Sequence, residues 1–390
     1  MENRIELNTF FEAYPTFKNQ EFHGRYLPFN QLKPELEKLR DKFEINEIGK
    51  SHLNIPIYSV KLGKGLIKIL AWSQMHGNES TTTKAVMDLL NLFRLQENEE
   101  QVNSILSNCT LLLIPMLNPD GANRYTRENV NKVDLNRDAH EQQEVESRVL
   151  RECFEGFQPD YCFNLHDQRT IFGAGKQDKP ATLSFLAPSQ DEERKISPNR
   201  KRAMQVIAAM NEDLQKVIPG QVGRFDDAFN INCSGDTFQS LEVPTILFEA
   251  GHYPGDYLRE KTREFVTFSM FSALQAISTS KFEDFKVENY QAIPENQKNF
   301  LDVILRNAMV EGQKLDIGIQ FSEKMKSGNI IFEPVVKKLA PLLPLFGHRE
   351  IDCESQEVQL ASGEAPGEND IVSIILLNNE KLSIKTSHIS

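Results

Sequence analysis

Residues 74–79 read Gln-Met-His-Gly-Asn-Glu, which puts His76 and Glu79 three positions apart, just after the apolar run LIKILAW (66–72). Imidazole and carboxylate are both zinc ligands, and two His with one Glu leave a fourth position open for water. Gly77 lets the backbone turn sharply between the two ligands. A His-x-x-Glu pair is common by chance, so a third ligand matters. His166 supplies one, because it follows another apolar run, DYCFNL (160–165). Glu249 ends a third run, PTILFE (244–249). A carboxylate in that position needs a partner or a purpose. The partner would be a buried arginine; the purpose would be general-base chemistry beside a metal-activated water. Asn118 closes a fourth run, TLLLIPM (110–116), and opens the loop NPDGANRYTRENVNKVDLNRDA (118–139). That loop holds Arg124, Arg127, Asn129, Asn136 and Arg137. Guanidinium groups there suit a substrate carboxylate or a developing oxyanion; the plainer alternative is a turn-rich surface loop with solvated charges.

The apolar runs that precede these residues read as strands buried on both faces. Helical spacing follows the first of them: residues 80–93 carry Val86, Leu89, Leu90 and Phe93 on one stripe. Further helices are expected at 141–154, 201–217 and from about 256 to 277, and two short strands at 45–65. Residues 1 to about 45 suggest charged helical segments. Alternation of this kind predicts an α/β fold with a mixed, mainly parallel central sheet flanked by helices. In open α/β sheets, sites gather outside the carboxyl ends of the strands. His76, Asn118, His166 and Glu249 would then converge at one sheet edge although they are far apart in sequence. A catalytic domain is expected over 1–285, a polar linker over 286–299 and a small C-terminal α+β or β-rich domain over 300–390.

Composition narrows the function classes. A hydrophobic fraction of 39% with 25 Phe can supply a sizeable core. A formal net charge of -12 argues against nonspecific binding to nucleic acid or to an anionic membrane. There is no run of 18 apolar residues to span a bilayer, and charges at Glu2, Arg4 and Glu6 interrupt the first residues, so a cytoplasmic location is expected. The five cysteines, Cys109, Cys153, Cys162, Cys233 and Cys353, are odd in number and lack a C-x-x-C pair, which argues against a disulfide framework and a thiolate zinc site.

Taken together, the motifs resemble the zinc carboxypeptidase family, of carboxypeptidase A-like fold, and most closely its bacterial members that include murein-peptide amidases. The resemblance runs over about 45–277. It rests on His76-Gly77-Asn78-Glu79, Asn118-Pro119-Asp120-Gly121, Arg127-Glu128-Asn129, Asp134-Leu135-Asn136-Arg137, His166 and Glu249 in that order. It implies one zinc per chain, held by His76, Glu79 and His166. It implies that Arg127 holds the oxyanion, that Asn136 and Arg137 clamp the free C-terminal carboxylate of a peptide substrate, and that Glu249 is the general base for a zinc-activated water. Asp236, in Ser234-Gly235-Asp236-Thr237, lies where the family shapes the pocket for the terminal side chain. It would favour an amino-bearing group there, or act as a turn residue. Three departures stand out. Lys132 replaces a frequent Gly, Ala139 replaces an aromatic, and no Tyr precedes Glu249 at the place of the family's capping residue; Phe229 and Asn232 lie nearest it. Two other functions fit the same residues. One is a deacylase of N-acyl amino acids resembling aspartoacylase and succinylglutamate desuccinylase, and the other is a non-catalytic zinc-binding module.

Overall fold

The computed structural model describes residues 7–96 and 99–386; the charged first six residues, and the part of the N-terminal expectation that rests on them, lie outside it. The chain begins with α1 (Leu7–Phe17) and α2 (Phe29–Glu37). The hairpin β1 (Glu44–Lys50) and β2 (Pro56–Gly63) follows, then β3 (Ile67–Ser73), α3 (Thr81–Leu95), α4 (Glu100–Asn108) and β4 (Cys109–Ile114). Next come α5 (Pro119–Arg124), a 3₁₀ turn (Leu135–Arg137), α6 (Val145–Phe157), β5 (Tyr161–Asp167), β6 (Phe172–Ala174), β7 (Leu183–Leu186), α7 (Pro198–Leu214) and β8 (Val222–Arg224). α8 (Ser234–Ser240), β9 (Thr245–Ala250) and α9 (Glu260–Ser278) complete this part.

Eight strands form the main sheet in the order β1-β2-β4-β3-β5-β9-β7-β8. Its centre, β4-β3-β5-β9, is parallel throughout, while β1, β2 and β7 pair antiparallel. This is the mixed, mainly parallel sheet expected from the apolar runs. Successive residues of a strand point to opposite faces, and the core divides accordingly. Ile69 and Ala71 of β3 enter the core on one side, with α3, α7 and α9. Leu70 and Trp72 enter the other, with Val149, Leu150 and Phe154 of α6 and Phe238 of α8. Continuous apolar runs are what such two-sided burial demands.

Helices α3 and α9 pack together through a fully buried ion pair, Arg263 Nη2 to Asp88 Oδ1 at 2.5 Å. Arg263 Nε donates to Asp88 Oδ2 at 2.6 Å, and Tyr14 Oη donates to the same oxygen at 2.7 Å. Burying a charge is costly unless it is both paired and hydrogen-bonded, and here both conditions hold.

Beyond α9, residues 286–299 are ordered into structure despite their polar composition. They contain α10 (Val287–Gln291) and β10 (Asn296–Lys298), which pairs antiparallel with β6. Tyr290 and Ile293 supply the buried anchors, and Tyr290 Oη accepts from Ala187 N at 3.2 Å. The remaining described residues form β11 (Phe300–Val310), β12 (Gln313–Lys326), β13 (Asn329–Ala340), β14 (Phe346–Asp352), β15 (Val358–Leu360), β16 (Ile374–Leu377) and β17 (Glu380–Ser383). They make a four-stranded sheet, β13-β12-β11-β14, and a three-stranded one, β15-β16-β17, around a separate core that includes Val303, Ile319 and Ile375. Of the two descriptions anticipated for this region, β-rich is the one that holds.

Candidate metal centre and active site

The loop after β3 carries His76 and Glu79. It is shaped by Gln74 in the left-handed region (φ 49°) and by Gly77. Gly77 is packed so closely that an added Cβ would lie 2.0 Å from the carbonyl carbon of Gly121. The Asn-Pro-Asp-Gly segment therefore acts as a brace for the ligand loop. Asn118 N donates to Gln74 O at 3.1 Å, and Asn118 Nδ2 donates to Met75 O at 3.1 Å. Its Oδ1 accepts from Gly121 N at 2.8 Å, capping α5. The opening of α3 is fixed from β5, where Asp167 accepts from Thr81 N at 3.1 Å and Thr82 N at 3.3 Å.

His166 lies inside β5, one residue before its end, and pairs directly across with Glu249 on β9. The cluster is tight. Glu79 Oε1 is 2.9 Å from His76 Nδ1, and Glu79 Oε2 is 2.9 Å from His166 Nδ1. The two Nδ1 atoms are 3.1 Å apart, and all three side chains are buried. His76 Nε2 lies 2.9 Å from Asp134 Oδ1. With the proton on Nε2 donated to that carboxylate, Nδ1 keeps the lone pair a metal needs. Two imidazole nitrogens and a carboxylate facing one point, in a buried place, fit a divalent cation of the zinc type. A second group, His52, Glu144 and Glu146, is also close enough to share an ion. There, however, Glu144 accepts from Asn129 Nδ2 at 2.7 Å and Asn131 Nδ2 at 2.9 Å, so that it braces the 118–139 loop.

Charges in the cluster are strongly biased. Burial pushes Glu79 upward, yet the imidazoles of His76 and His166 outweigh it and hold the carboxyl well below its ordinary range. Burial lowers His166. Glu249 is raised well above the ordinary carboxylate range by burial and then by the charges of Glu79 and Asp167. Its Oε2 has no hydrogen-bond partner among the described residues. The buried arginine nearest in the chain, Arg259, does not pair with it; Arg259 bonds the carbonyls of Ala250 and, at 2.7 Å, Gln168. The buried-arginine explanation for Glu249 thus has no support from that contact.

Arg127 reaches Glu79 Oε1 at 3.2 Å and Asp134 Oδ2 at 3.0 Å while 45% of its side chain stays exposed. Asn136 Oδ1 accepts from Ser234 N at 2.9 Å and Ser234 Oγ at 2.8 Å, which orients its amide with Nδ2 as the remaining donor. Arg137 Nη1 donates to Asn136 O at 2.7 Å and lies 3.1 Å from Cys233 Sγ. Asp236, in the first turn of α8, is buried, and burial raises its carboxyl to about 7. All eight candidate residues (His76, Glu79, Arg127, Asn136, Arg137, His166, Asp236 and Glu249) line one cavity of about 360 Å³. Among the described residues no Tyr lines it; its aromatic members are Phe172 and Phe225, with ring centroids 5.2 Å apart. Phe229 and Asn232 are not part of the lining, and Tyr253 packs instead on Phe265 at 5.5 Å. His252, which sequence proximity suggests for the rim, is buried against His348 at 4.2 Å.

Asp134 entered the sequence reading only as part of a motif, with no role of its own, and Phe225 did not enter it. For Asp134 a signal existed, since an acidic residue two positions before Asn136 can reach the same loop; for Phe225 there was none.

Residues 32–216 match the zinc carboxypeptidase family model. The likeness of this segment is to the zinc carboxypeptidases. Among curated proteins, the chain is 29% identical over 115 residues to a probable carboxypeptidase 2 of Trichophyton verrucosum, covering 29% of this chain and 21% of that protein. It is 29% identical over 104 residues to gamma-D-glutamyl-L-diamino acid endopeptidase 1 of Lysinibacillus sphaericus, covering 24% of this chain and 26% of that one. The chain thus spans only 21% of the length of the first of these relatives. Among solved structures it resembles a metallo-carboxypeptidase from Burkholderia cenocepacia, with a TM-score of 0.52 and 14% identity over 66% of this chain and 70% of that one. The last likeness is one of fold, and the fold is that of the metallocarboxypeptidases. No helix of the described residues is long and apolar enough to cross a membrane.

Proposed function

We propose that this chain is a zinc-dependent metallocarboxypeptidase that removes the C-terminal residue of a peptide or peptide-like substrate. The observation that carries this reading is the meeting of His76, Glu79 and His166 at one buried point, with Glu249 directly across from His166 on the neighbouring strand. Zinc there, held by His76, Glu79 and His166, would lower the pKa of water and polarise the scissile carbonyl.

The chain's own residues account for the rest. Asn136 and Arg137 hold the terminal carboxylate by charge-assisted hydrogen bonds, which sets the last amide bond over the cluster and excludes internal bonds. Arg127, exposed yet anchored to Asp134, stabilises the oxygen that becomes negative. Glu249 accepts the proton of the attacking water and delivers it to the departing amine. A carboxyl raised by burial is suited to both duties, because its proton affinity lies nearer the working pH. Asp236 faces the terminal side chain and favours an amino-bearing one, a choice compatible with a diamino acid at the substrate's end.

Elemental analysis is the first test. About one zinc per chain, lost in His166→Ala, is expected. Cleavage of N-acetyl dipeptides should then fall by roughly 10²–10⁴-fold in Glu249→Gln while zinc is retained. N-acyl amino acids belong in the same assay: their turnover with no peptide cleavage would replace the carboxypeptidase reading by the deacylase one.

A further inference from the structure

A second cavity, of about 340 Å³, opens from the same cluster. It shares Glu79, Arg127, Asp167, Gln168 and Arg169 with the first, whereas Asn136, Arg137 and Asp236 do not line it. Its far wall comes from the C-terminal sheet, through Asp302 of β11, residues Gln320 to Glu323 of β12 and Phe332 of β13. The C-terminal region therefore reaches the reaction centre instead of standing apart from it.

What this pocket can bind follows from which of its polar groups are already committed. Its carboxylates are occupied. Asp302 accepts from Tyr257 Oη at 3.1 Å, Phe321 N at 2.6 Å and Gln320 Nε2. Glu323 pairs with Arg25 at 2.8 Å and accepts from Tyr125 Oη. Asp167 caps α3. Arg25 and Arg127 are likewise paired. Arg169, exposed at the junction of the two cavities, has no hydrogen bond or ion pair among the described residues.

The amides point the same way. Gln320 is 5% exposed. Its Nε2 is held between the Asp302 carboxylate and Thr170 Oγ1, the latter at 2.7 Å, which leaves Oε1 as an acceptor; that atom is buried and has no partner. Asn78 Oδ1 is buried and unpartnered too. An unsatisfied buried acceptor is costly and calls for a donor. The uncommitted groups thus include the Arg169 guanidinium, the buried Arg25 Nε and two amide oxygens, a set complementary to an anion carried beside an N–H.

We propose that this pocket receives the acyl side of the substrate, and that it selects an acidic residue there: Arg169 takes the side-chain carboxylate, and Gln320 accepts a hydrogen bond from the amide N–H. The assignment rests on the carboxypeptidase reading, because the first cavity must take the terminal residue for the second to take the one before it. Arg169 and Gln320 act as specificity residues, and neither takes part in bond making.

The test uses the zinc-loaded full chain carrying Glu249→Gln, so that binding is read by calorimetry without turnover. The probes are N-acetyl-Glu-Lys and N-acetyl-Gln-Lys, which differ only in the acyl-side charge. The Glu peptide should bind roughly tenfold more tightly, the size expected for one charge-assisted hydrogen bond. Adding Arg169→Ala should remove that difference, and Arg169→Lys should restore part of it. Gln320→Leu should weaken both peptides alike. Equal affinity for the two peptides, binding of neither, or a preference that survives Arg169→Ala overturns the proposal. Cleavage by the chain with Glu249 intact separates the two readings. A charge preference in binding with no cleavage of either peptide sinks the hydrolase reading alone, and cleavage without a preference sinks the acidic subsite alone.

Discussion

Asp236 and Lys132 illustrate how a single side chain's setting converts into a measurable property. Burial holds the Asp236 carboxyl near a pKa of about 7, so it is largely neutral below that pH and charged above it. If it receives an amino-bearing terminal side chain, kcat/KM for a substrate ending in Lys should rise as pH passes upward through about 7. A substrate ending in Leu should lack that step, and Asp236→Asn should flatten it for Lys. A Lys profile parallel to that of Leu in the unaltered chain would remove Asp236 from specificity. Lys132 sits in the left-handed region, with φ 63°. A residue with a Cβ is disfavoured there by roughly 1 kcal/mol. Lys132→Gly should therefore leave thermal stability unchanged or raise it by a few degrees, despite the entropy Gly adds to the unfolded chain. A clear fall in Tm would show that Lys132 makes a contact worth more than its backbone cost.

Elements hold the cluster together by contact between segments far apart in the chain. The ligand loop and the Asn-Pro-Asp-Gly turn touch through two glycines. Gly77→Ala would drive a Cβ to 2.0 Å from Gly121 backbone, which cannot move as a side-chain tip can. Weakened zinc retention in dialysis against a chelator is expected, at a stability cost of about 1–3 kcal/mol. Zinc retention equal to the parent's would show that the loop relaxes freely. The α3–α9 pair is a different kind of joint. Arg263→Ala leaves Asp88 buried without its cation, which typically costs about 3–5 kcal/mol. Denaturant unfolding should show that loss, and a change under about 1 kcal/mol would mean that water reaches Asp88 once the arginine is gone.

At the scale of the whole molecule, the main sheet and the C-terminal sheets are tied together by polar contacts next to the candidate site. Gln320 donates to Thr170 Oγ1 at 2.7 Å, His348 Nε2 lies 2.7 Å from Thr170 O, and Arg25 pairs with Glu323. Arg25 is 7% exposed, and its pairing holds its charge in place. Residues 1–285 and 300–390 are thus proposed to behave as one cooperative unit, even though each has its own core. Calorimetry should give one unfolding transition for the full chain, with Glu323→Ala lowering it because a buried guanidinium loses its partner. Two well-separated transitions would restore the picture of independent domains joined by a linker.

Much of the candidate site was legible in the sequence. His166 and Glu249 end or directly follow apolar runs, and His76 comes shortly after one; a strand buried on both faces has to be apolar until it leaves the core. The chain itself therefore determined where the parallel strands lie and which polar residues mark their carboxyl ends. The order of those strands was decided only by long-range pairing. Nothing local says that β9 lies beside β5 with Glu249 opposite His166, or that Asp134 backs His76. Short, partly polar strands such as β6, β8 and β10 carry no period to read, and their pairing exists only once the sheet has formed. The second pocket is the strongest case. Gln320 is an ordinary polar residue in the sequence, and only packing of β12 against the main-sheet region buries its amide oxygen beside the cluster. Burial patterns are written residue by residue along a chain, whereas a site assembled from two sheets depends on distances that only the folded chain sets.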